Sequence, residues 1–561
     1  MDGAARGPSE ELREHAEEKV FRELQQEALF WCCKQAVKEE IIKPSCDVSK
    51  VRGTIARMLQ TGGLQVAVKN FAYERLRELR KQQQQVARLQ HPQFPLPPIP
   101  VPLSSVCTLD VVEWARRRWA EVTFARLREL SHEQRQPFLR PRNAPGGQGA
   151  SGGAADEEEV TTHYIVDLDD LYTLVTQEMN DRAHAGEGGL LGRGLQWSVL
   201  GVHLHAPTPE ELRERFHDLS PERGHLGVPD GSAVHGSIRV IDALTERRNL
   251  EGQQLLEKPY IPHLQHFSRF GVPPALRLEI WGRSLNAAGE QMTNTLVDVA
   301  RGVGLWEWLT DDVLRLDVAE HCANDKNYFP FDEIVEAMVL ALSRDPEIAS
   351  DCECGPPQLP LLVGSEAPPG NALEASDGQG GAELVPPCGV VPFRGFSYYA
   401  CPFAFLSDRL EATYPLFRAV YCRYLSKLHT ISCQPGTLLP LCALFESLVF
   451  TVAPHVAFHL VQMGPDAAPL KMAFPWIVHG FVGFLRADQV LWLWDRVLGF
   501  ESTELIAVLA AAVFVFRARL VLSARVPEDV ALVFSDISAL QALPLLQHLL
   551  FADDLGGHFE L

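Results

Sequence analysis

The chain has 561 residues, 46% hydrophobic and 22% charged, which is too long for one ordinary core and balanced as globular chains are. Its 51 Lys plus Arg stand against 72 Asp plus Glu, a formal charge of −21, which disfavours phosphate backbones and sets nucleic acid aside as the main partner. The most apolar segments, "TLLPLCALFESLVFTVAPHVAFHLVQM" and "LIAVLAAAVFVF", are respectively interrupted by Glu446, Pro454 and two histidines, and too short; a membrane span needs roughly 20 apolar residues, so both read as core helices.

The opening residues, "MDGAARGPSEELREHAEEKV", are acidic and carry no apolar signal core, so a secretory leader is not expected. The 12 cysteines are scattered or sit in apolar context, the pattern of reduced thiols in a cytoplasmic protein. Cys32/Cys33 and Cys352/Cys354 have the wrong spacing for zinc, and no structural metal is expected.

From Ser9 to about Lys43, Leu12, Ala16, Val20, Leu24, Ala28 and Trp31 recur at the helical period. Further helices are predicted over "KVRGTIARMLQ", "VAVKNFAYERLRELRKQQQQVARL" and "LDVVEWARRRWAEVTFARLREL", making residues 1–143 a helical N-terminal region. Between the last two lies "HPQFPLPPIPVP", at about 91–103, whose prolines favour an extended semi-rigid spacer. An SH3-type partner is the alternative use of that segment. Residues 144–159, rich in Gly, Ala and acidic residues, read as a disordered linker.

Residues 160–259 mix an acidic helix, "YIVDLDDLYTLVTQEMND", a strand-like run, "LQWSVLGVHLH", and a helix opening at "TPEELRERF". There Thr208 as N-cap, Pro209 at the first helical position and Glu211 form a capping box. From residue 260 to about 555, long apolar helical patterns predict an all-α domain, interrupted by a Gly/Pro-rich insert at about 353–390 that is expected to be mobile. Directly after it comes "VPFRGFSYYACPFAFL", an apolar run with a single cation, Arg394, between Phe393 and Gly395. A buried guanidinium without a partner costs several kcal/mol, so Arg394 must meet a carboxylate or face something charged.

No phosphate-binding loop, H-E-x-x-H zinc helix or G-x-S-x-G nucleophile elbow occurs, and the glycines of "GLLGRG" and "RGVGLW" lack the context of a dinucleotide site. Self-contained catalysis is disfavoured. A helical protein that acts on, or binds, another macromolecule remains.

The stretch "LQHFSRFGVPPALRLEIWGRSLN" places Arg277 and Trp281 four apart on one helical face, where guanidinium and indole can stack. Its G-V-P-x-x-L-R-x-x-x-W pattern resembles the opening motif of the TBC domain, the all-helical module of Rab GTPase-activating proteins. "FPWIVHGFVGFLRADQVLWLWDRVLGFESTEL", with Trp494, Asp495 and Leu498 in a W-D-x-x-L signature, is similar to the late part of that family. The runs "RGFSYYACPFAFL", "LHTIS" and "AVLAAAVFVFRA" are most similar to its divergent member-19 type. The resemblance covers roughly residues 260 to 555. It implies a TBC-type domain at the C-terminus, a Rab-family small GTPase as partner, and a role in vesicle traffic for a cytoplasmic protein recruited to endomembranes. GTP and magnesium would be carried by the GTPase, with no cofactor of the chain's own and membrane contact only through that partner.

The family supplies two residues in trans. An arginine in I-x-x-D-x-x-R neutralises charge on the transferred phosphoryl group, and a glutamine in Y-x-Q-G orients the attacking water. Aligning the first motif on "CANDKNYFPFDEI" matches Cys322 and Asp325 but puts Tyr328 at the arginine. Aligning the second on "VPFRGF" matches Gly395, and puts Pro392 at the tyrosine and Arg394 at the glutamine. Both fingers are thus substituted. Two readings stay open: a GTPase activator, with Arg394 salvaging the lost charge, or a catalytically inactive adaptor or helical scaffold. Arg277, Trp281, Asp325, Gly395, Trp494 and Asp495 are expected to support the groove.

Overall fold

The structure is a computed structural model describing residues 19–42, 51–90, 108–135, 137–141, 164–184, 199–200, 202, 204–227, 238–287, 290–322, 331–354 and 386–551. Among the described residues it is all-α apart from one short ribbon, in which Leu139–Pro141 pairs antiparallel with Trp306–Trp308, Arg140 opposite Glu307. Neither strand carries an alternating pattern long enough to be read from sequence.

By its internal contacts the chain forms two compact units, one of Met1–Pro102 with Leu250–Leu264, the other of Leu103–Asn249 with Gln265–Leu561. In the first, the expected helix from residue 9 is described as two pieces, 19–26 and Ala28–Ile42, broken at Glu27. Helices Val51–Thr61 and Leu64–Gln90 follow as predicted. Asn70 ties this unit together, its amide donating to the Pro259 carbonyl (2.8 Å) and its side-chain oxygen accepting from Ile261 N–H (3.1 Å).

The second unit does not begin at residue 260. Its helix Thr108–Glu133 lies against the segment that follows the linker through the Arg126–Asp170 ion pair. Tyr172 meets Phe474 edge-on at 5.3 Å, Arg213 Nε donates to the Leu550 carbonyl, and the Gln547 amide donates to the Leu219 carbonyl. The described residues of this segment therefore pack with the C-terminal helices. Thr208 and Glu211 form the predicted capping box at the start of Pro209–Arg215. In the strand-like run the described residues, 199–200, 202 and 204–205, are irregular, and Val199 N–H donates to Glu446.

The core is built around the helix Glu504–Phe516, apolar on every face, with Leu505 to Val515 all buried. A helix of that composition has no side to offer water and takes the centre of a domain. It packs against Leu438–Val452, Pro469–Val478 and Ala542–Phe551. Phe514 gathers Phe445, Trp476 and Phe534 with centroids 4.3–5.9 Å apart. Where Ala487–Phe500 passes residues 265–269, a Cβ on Gly499 would stand 2.7 Å from the Arg269 backbone nitrogen, so only glycine permits that approach.

Among the described residues no single helix is long and apolar enough to cross a membrane; Leu438–Val452 and Pro454–Met463 reach that length only as a pair bent by 112°. The insert is shorter than expected on both sides: Cys352, Cys354, Cys388 and Val390 are buried in the core, and Cys388 N–H donates to the Ser343 carbonyl. The middle of the insert, the proline-rich segment at 91–103 and the linker at 144–159 lie outside the described residues.

Candidate functional site

The helix Leu309–His321 opens with Asp311, which accepts the Trp308 N–H and pairs with Arg344 across a fully buried contact. Its last turn carries Asp317, Glu320 and His321, spaced i, i+3 and i+4 and hence on one face. That face holds the loop that contains Arg394.

Asp317 is fully buried and accepts two backbone donors of the loop, Gly395 N–H at Oδ1 (2.6 Å) and Ser397 N–H at Oδ2 (2.7 Å). His321 Nδ1 lies 3.1 Å from Asp317 Oδ1. Burial works against charge on this imidazole, but hydrogen bonding to Asp317 and that carboxylate's charge prevail and raise its pKa. A buried carboxylate given such donors is compensated, and it fixes the loop's backbone.

Gly395 turns the loop with φ +87°. A Cβ there would stand 2.5 Å from His479 Cε1. Below it, residues 479–483 carry positive φ at Gly480, Phe481 (φ +66°) and Gly483, a conformation costing a non-glycine residue about 1–3 kcal/mol. Phe481 is held there by stacking on Trp476 at 6.0 Å. Phe393 and Phe396 turn inward onto Tyr399 and His429. His429 and His479 are buried, and burial lowers both pKa values to about 3.

Arg394, between the two inward phenylalanines, turns outward and keeps about half of its side chain exposed. It does not stand alone. Its guanidinium pairs with Glu320, its carbon centre lies 5.3 Å over the Tyr164 ring, and its backbone N–H donates to the Val166 carbonyl. Tyr164 in turn donates its hydroxyl to the other Glu320 oxygen at 2.6 Å. Burial opposes ionisation of Glu320, but the hydrogen bonds from Tyr164 and Arg394 outweigh it and hold its pKa below the usual carboxylate range. The hydrogen bond to Glu320 raises the pKa of Arg394.

Three of the expected groove residues meet deeper in the unit. Asp495, fully buried on Ala487–Phe500, accepts Arg277 Nε and Nη2 (3.0 Å each), Trp281 Nε1 (2.9 Å) and Val272 N–H (3.0 Å). Arg277 also donates to the Val272 carbonyl, and lies closer to the ring of Trp492 (5.0 Å) than to that of Trp281 (5.9 Å). Trp494, next along the helix, donates to the Gly480 carbonyl (3.3 Å) and so braces the floor under Gly395. Arg394 is not part of the Asp495 cluster. Tyr328 and Asp325 lie outside the described residues, in the segment that follows Cys322.

Sequence reasoning missed Tyr164, Asp317, Glu320 and His321. The D-x-x-E-H spacing, if read as helical, carried a signal, since it puts three titratable groups on one face. Nothing local announced that Tyr164, 230 positions before Arg394, lies under its guanidinium.

Fold and site together define, among the described residues, a helical protein whose buried charged residues brace its loops and whose Arg394–Glu320 pair is partly exposed. No family model matches the chain. The human protein TBC1 domain family member 19 is 36% identical to it over 357 residues, which make up 63% of this chain and 65% of that protein. That relative bears out the resemblance to the TBC-domain family read from the motifs; the chain spans just under two thirds of its length. The crystal structure of the Chlamydomonas flagellar RabGAP TBC domain superposes on 59% of this chain and 96% of its own, at 16% identity and a TM-score of 0.40. A likeness that loose decides nothing about the fold.

Proposed function

We propose that the chain regulates a Rab-family small GTPase as a finger-deficient TBC protein, docking the GTPase without accelerating its GTP hydrolysis. One observation carries this reading. At the register where the family offers its water-positioning glutamine stands Arg394, and its guanidinium is engaged by Glu320 and Tyr164.

The chemistry of that substitution supports the reading. A glutamine amide both accepts and donates, so it can hold an attacking water by its proton; a guanidinium has five donors and no acceptor. Tyr328, at the arginine register, has a phenol that stays neutral at pH 7 in its ordinary range. An arginine supplied in trans is worth about 10³–10⁵ in rate, and a groove lacking it retains shape without transition-state stabilisation. The GTPase would bring GTP and magnesium, and recruit the chain to the endomembranes where it acts in vesicle traffic. The half-exposure of Arg394 favours one second reading, a weak activator in which this guanidinium supplies the missing positive charge.

The test is a Rab panel loaded with GTP, scored separately for binding and for single-turnover hydrolysis. Binding without acceleration by the natural chain, together with acceleration by the double variant Tyr328→Arg/Arg394→Gln, is the expected outcome. Absence of binding to every Rab would remove the reading.

A further inference from the structure

We propose that Glu320 and Tyr164 form a latch that withholds the Arg394 guanidinium from an incoming anion, so that breaking the latch turns a silent docking surface into an accelerating one. The inference rests on the functional reading above and names how its site is regulated.

The latch has three parts on three separate segments. Glu320 closes the helix Leu309–His321; Arg394 sits on the loop that Asp317 pins to that same helix; Tyr164 begins the segment leading into the helix Leu168–Thr173. Each part engages both others. Glu320 takes the guanidinium on Oε1 and the phenol on Oε2, while the Tyr164 ring covers one face of the guanidinium. Glu320 thus holds the Arg394 Nη2 edge, the Tyr164 ring covers one guanidinium face, and the Tyr164 hydroxyl fixes the carboxylate, so a phosphate must displace the carboxylate to take that edge. The surrounding backbone makes the contact a held one. Ile165 and Val166 are buried, the Val166 carbonyl accepts the Arg394 N–H, and Asp167 caps the helix that begins at Leu168. That helix is in turn pinned by the Arg126–Asp170 pair.

The latch is also weak enough to open. Arg394 and Glu320 keep 51% and 38% of their side chains exposed, and an ion pair at such a site competes with solvent and salt. A nucleotide phosphate brought by a docked partner carries more charge than one carboxylate, and a guanidinium can pair with it through two nitrogens where Glu320 engages only one. Residues 164–166, outside the region that resembles the TBC domain, thereby gain a part in the site.

The experiment uses the full chain with Glu320→Gln, which keeps the side chain's size and removes its charge, and Tyr164→Phe, which removes only the hydroxyl. Phenylglyoxal, which condenses with guanidinium groups, reports access to Arg394 by peptide mass, with the exposed Arg409 as internal standard. Modification of Arg394 is expected to rise several-fold in Glu320→Gln and less in Tyr164→Phe; an unchanged rate overturns the latch, whatever any GTPase does. In single-turnover hydrolysis by a Rab that the chain binds, Glu320→Gln is expected to accelerate turnover about tenfold or more. Glu320→Gln/Arg394→Ala should return to the natural chain's rate. Binding with no gain in Glu320→Gln also overturns the latch while leaving the docking function standing, whereas loss of binding to every Rab fails the docking function itself. Circular dichroism of each variant confirms that the helices are intact.

Discussion

Arg277 and Asp495 meet across 218 positions of sequence in a two-pronged pair, both prongs 3.0 Å long and both partners buried. The same carboxylate also takes the Trp281 indole and the Val272 N–H. One anion thus fastens the Gly271–Pro274 turn, the start of the following helix and the helix Ala487–Phe500.

Removing that anion leaves a buried guanidinium unpaired, which typically costs about 3–5 kcal/mol. Asp495→Ala is therefore expected to lower the urea midpoint of the second unit severely. Arg277→Ala is expected to do comparable damage, because Asp495 then loses its only charged partner among the contacts described. If either variant keeps the natural midpoint, the cluster does not brace the fold.

Gly395→Ala combines a left-handed backbone with a Cβ placed 2.5 Å from His479 Cε1. The strained backbone alone is worth roughly 1–3 kcal/mol, and the imidazole, buried between Phe393, Tyr398 and Phe484, has little room to yield. The variant is expected to destabilise by at least that amount and to raise amide exchange at Gly395's neighbours, Ser397 above all, since Asp317 would lose its hold on the loop. Exchange at Ser397 that stays slow would show the loop can absorb the methyl.

Acid should destabilise the protein through His429 and His479. Burial lowers both to about 3 in the folded state, whereas the unfolded value is near 6.5. The folded state therefore binds fewer protons than the unfolded one between those limits. Stability from these groups is fully present above pH 6.5 and falls as the pH drops towards 3, by up to about 1.4 kcal/mol per pH unit for each histidine. His321, whose pKa is raised in the folded state, acts in the opposite sense: its contribution is present at low pH and lost as pH rises through its folded value. Urea unfolding in steps from pH 7 downwards measures the slope. His479→Gln is expected to remove about half of the acid-side loss; an unaltered slope would mean that another group governs it.

Filling the centre of the fold is expected to be as damaging as emptying it. Phe514→Ala removes a ring shared with Phe445, Trp476 and Phe534 and should cost about 3–5 kcal/mol. Gly499→Ala, by contrast, loses no contact, yet its methyl meets the backbone of residues 265–269. Its destabilisation, read as a lower thermal midpoint, would isolate the closeness of those two segments.

Much of the architecture can be read along the chain because it depends on local periodicity. The helices at Val51–Thr61, Leu64–Gln90 and Thr108–Glu133, the capping box at Thr208, and the central helix at Glu504–Phe516 all follow from spacing, capping chemistry and uninterrupted apolarity. What failed was whatever depends on a distant partner. "LQWSVLGVHLH" has a strand's composition, yet its described residues pair with no strand among the described residues, and the ribbon at Leu139–Pro141 is too short to show a pattern. Contacts such as Gln547 donating to the Leu219 carbonyl, 328 positions apart, could not be read locally either.

By itself the sequence determined that this is a helical protein whose motifs at Arg277, Trp281, Trp494 and Asp495 resemble those of small-GTPase regulators, a resemblance from which the registers of Tyr328 and Arg394 are proposed. Those are statements about residue type and local spacing, which a single chain carries in full. Only the tertiary structure decided what Arg394 touches. A guanidinium's partner is set by which carboxylate folding brings within a few ångströms, and Glu320 and Tyr164 arrive there from 74 and 230 positions away, on separate segments.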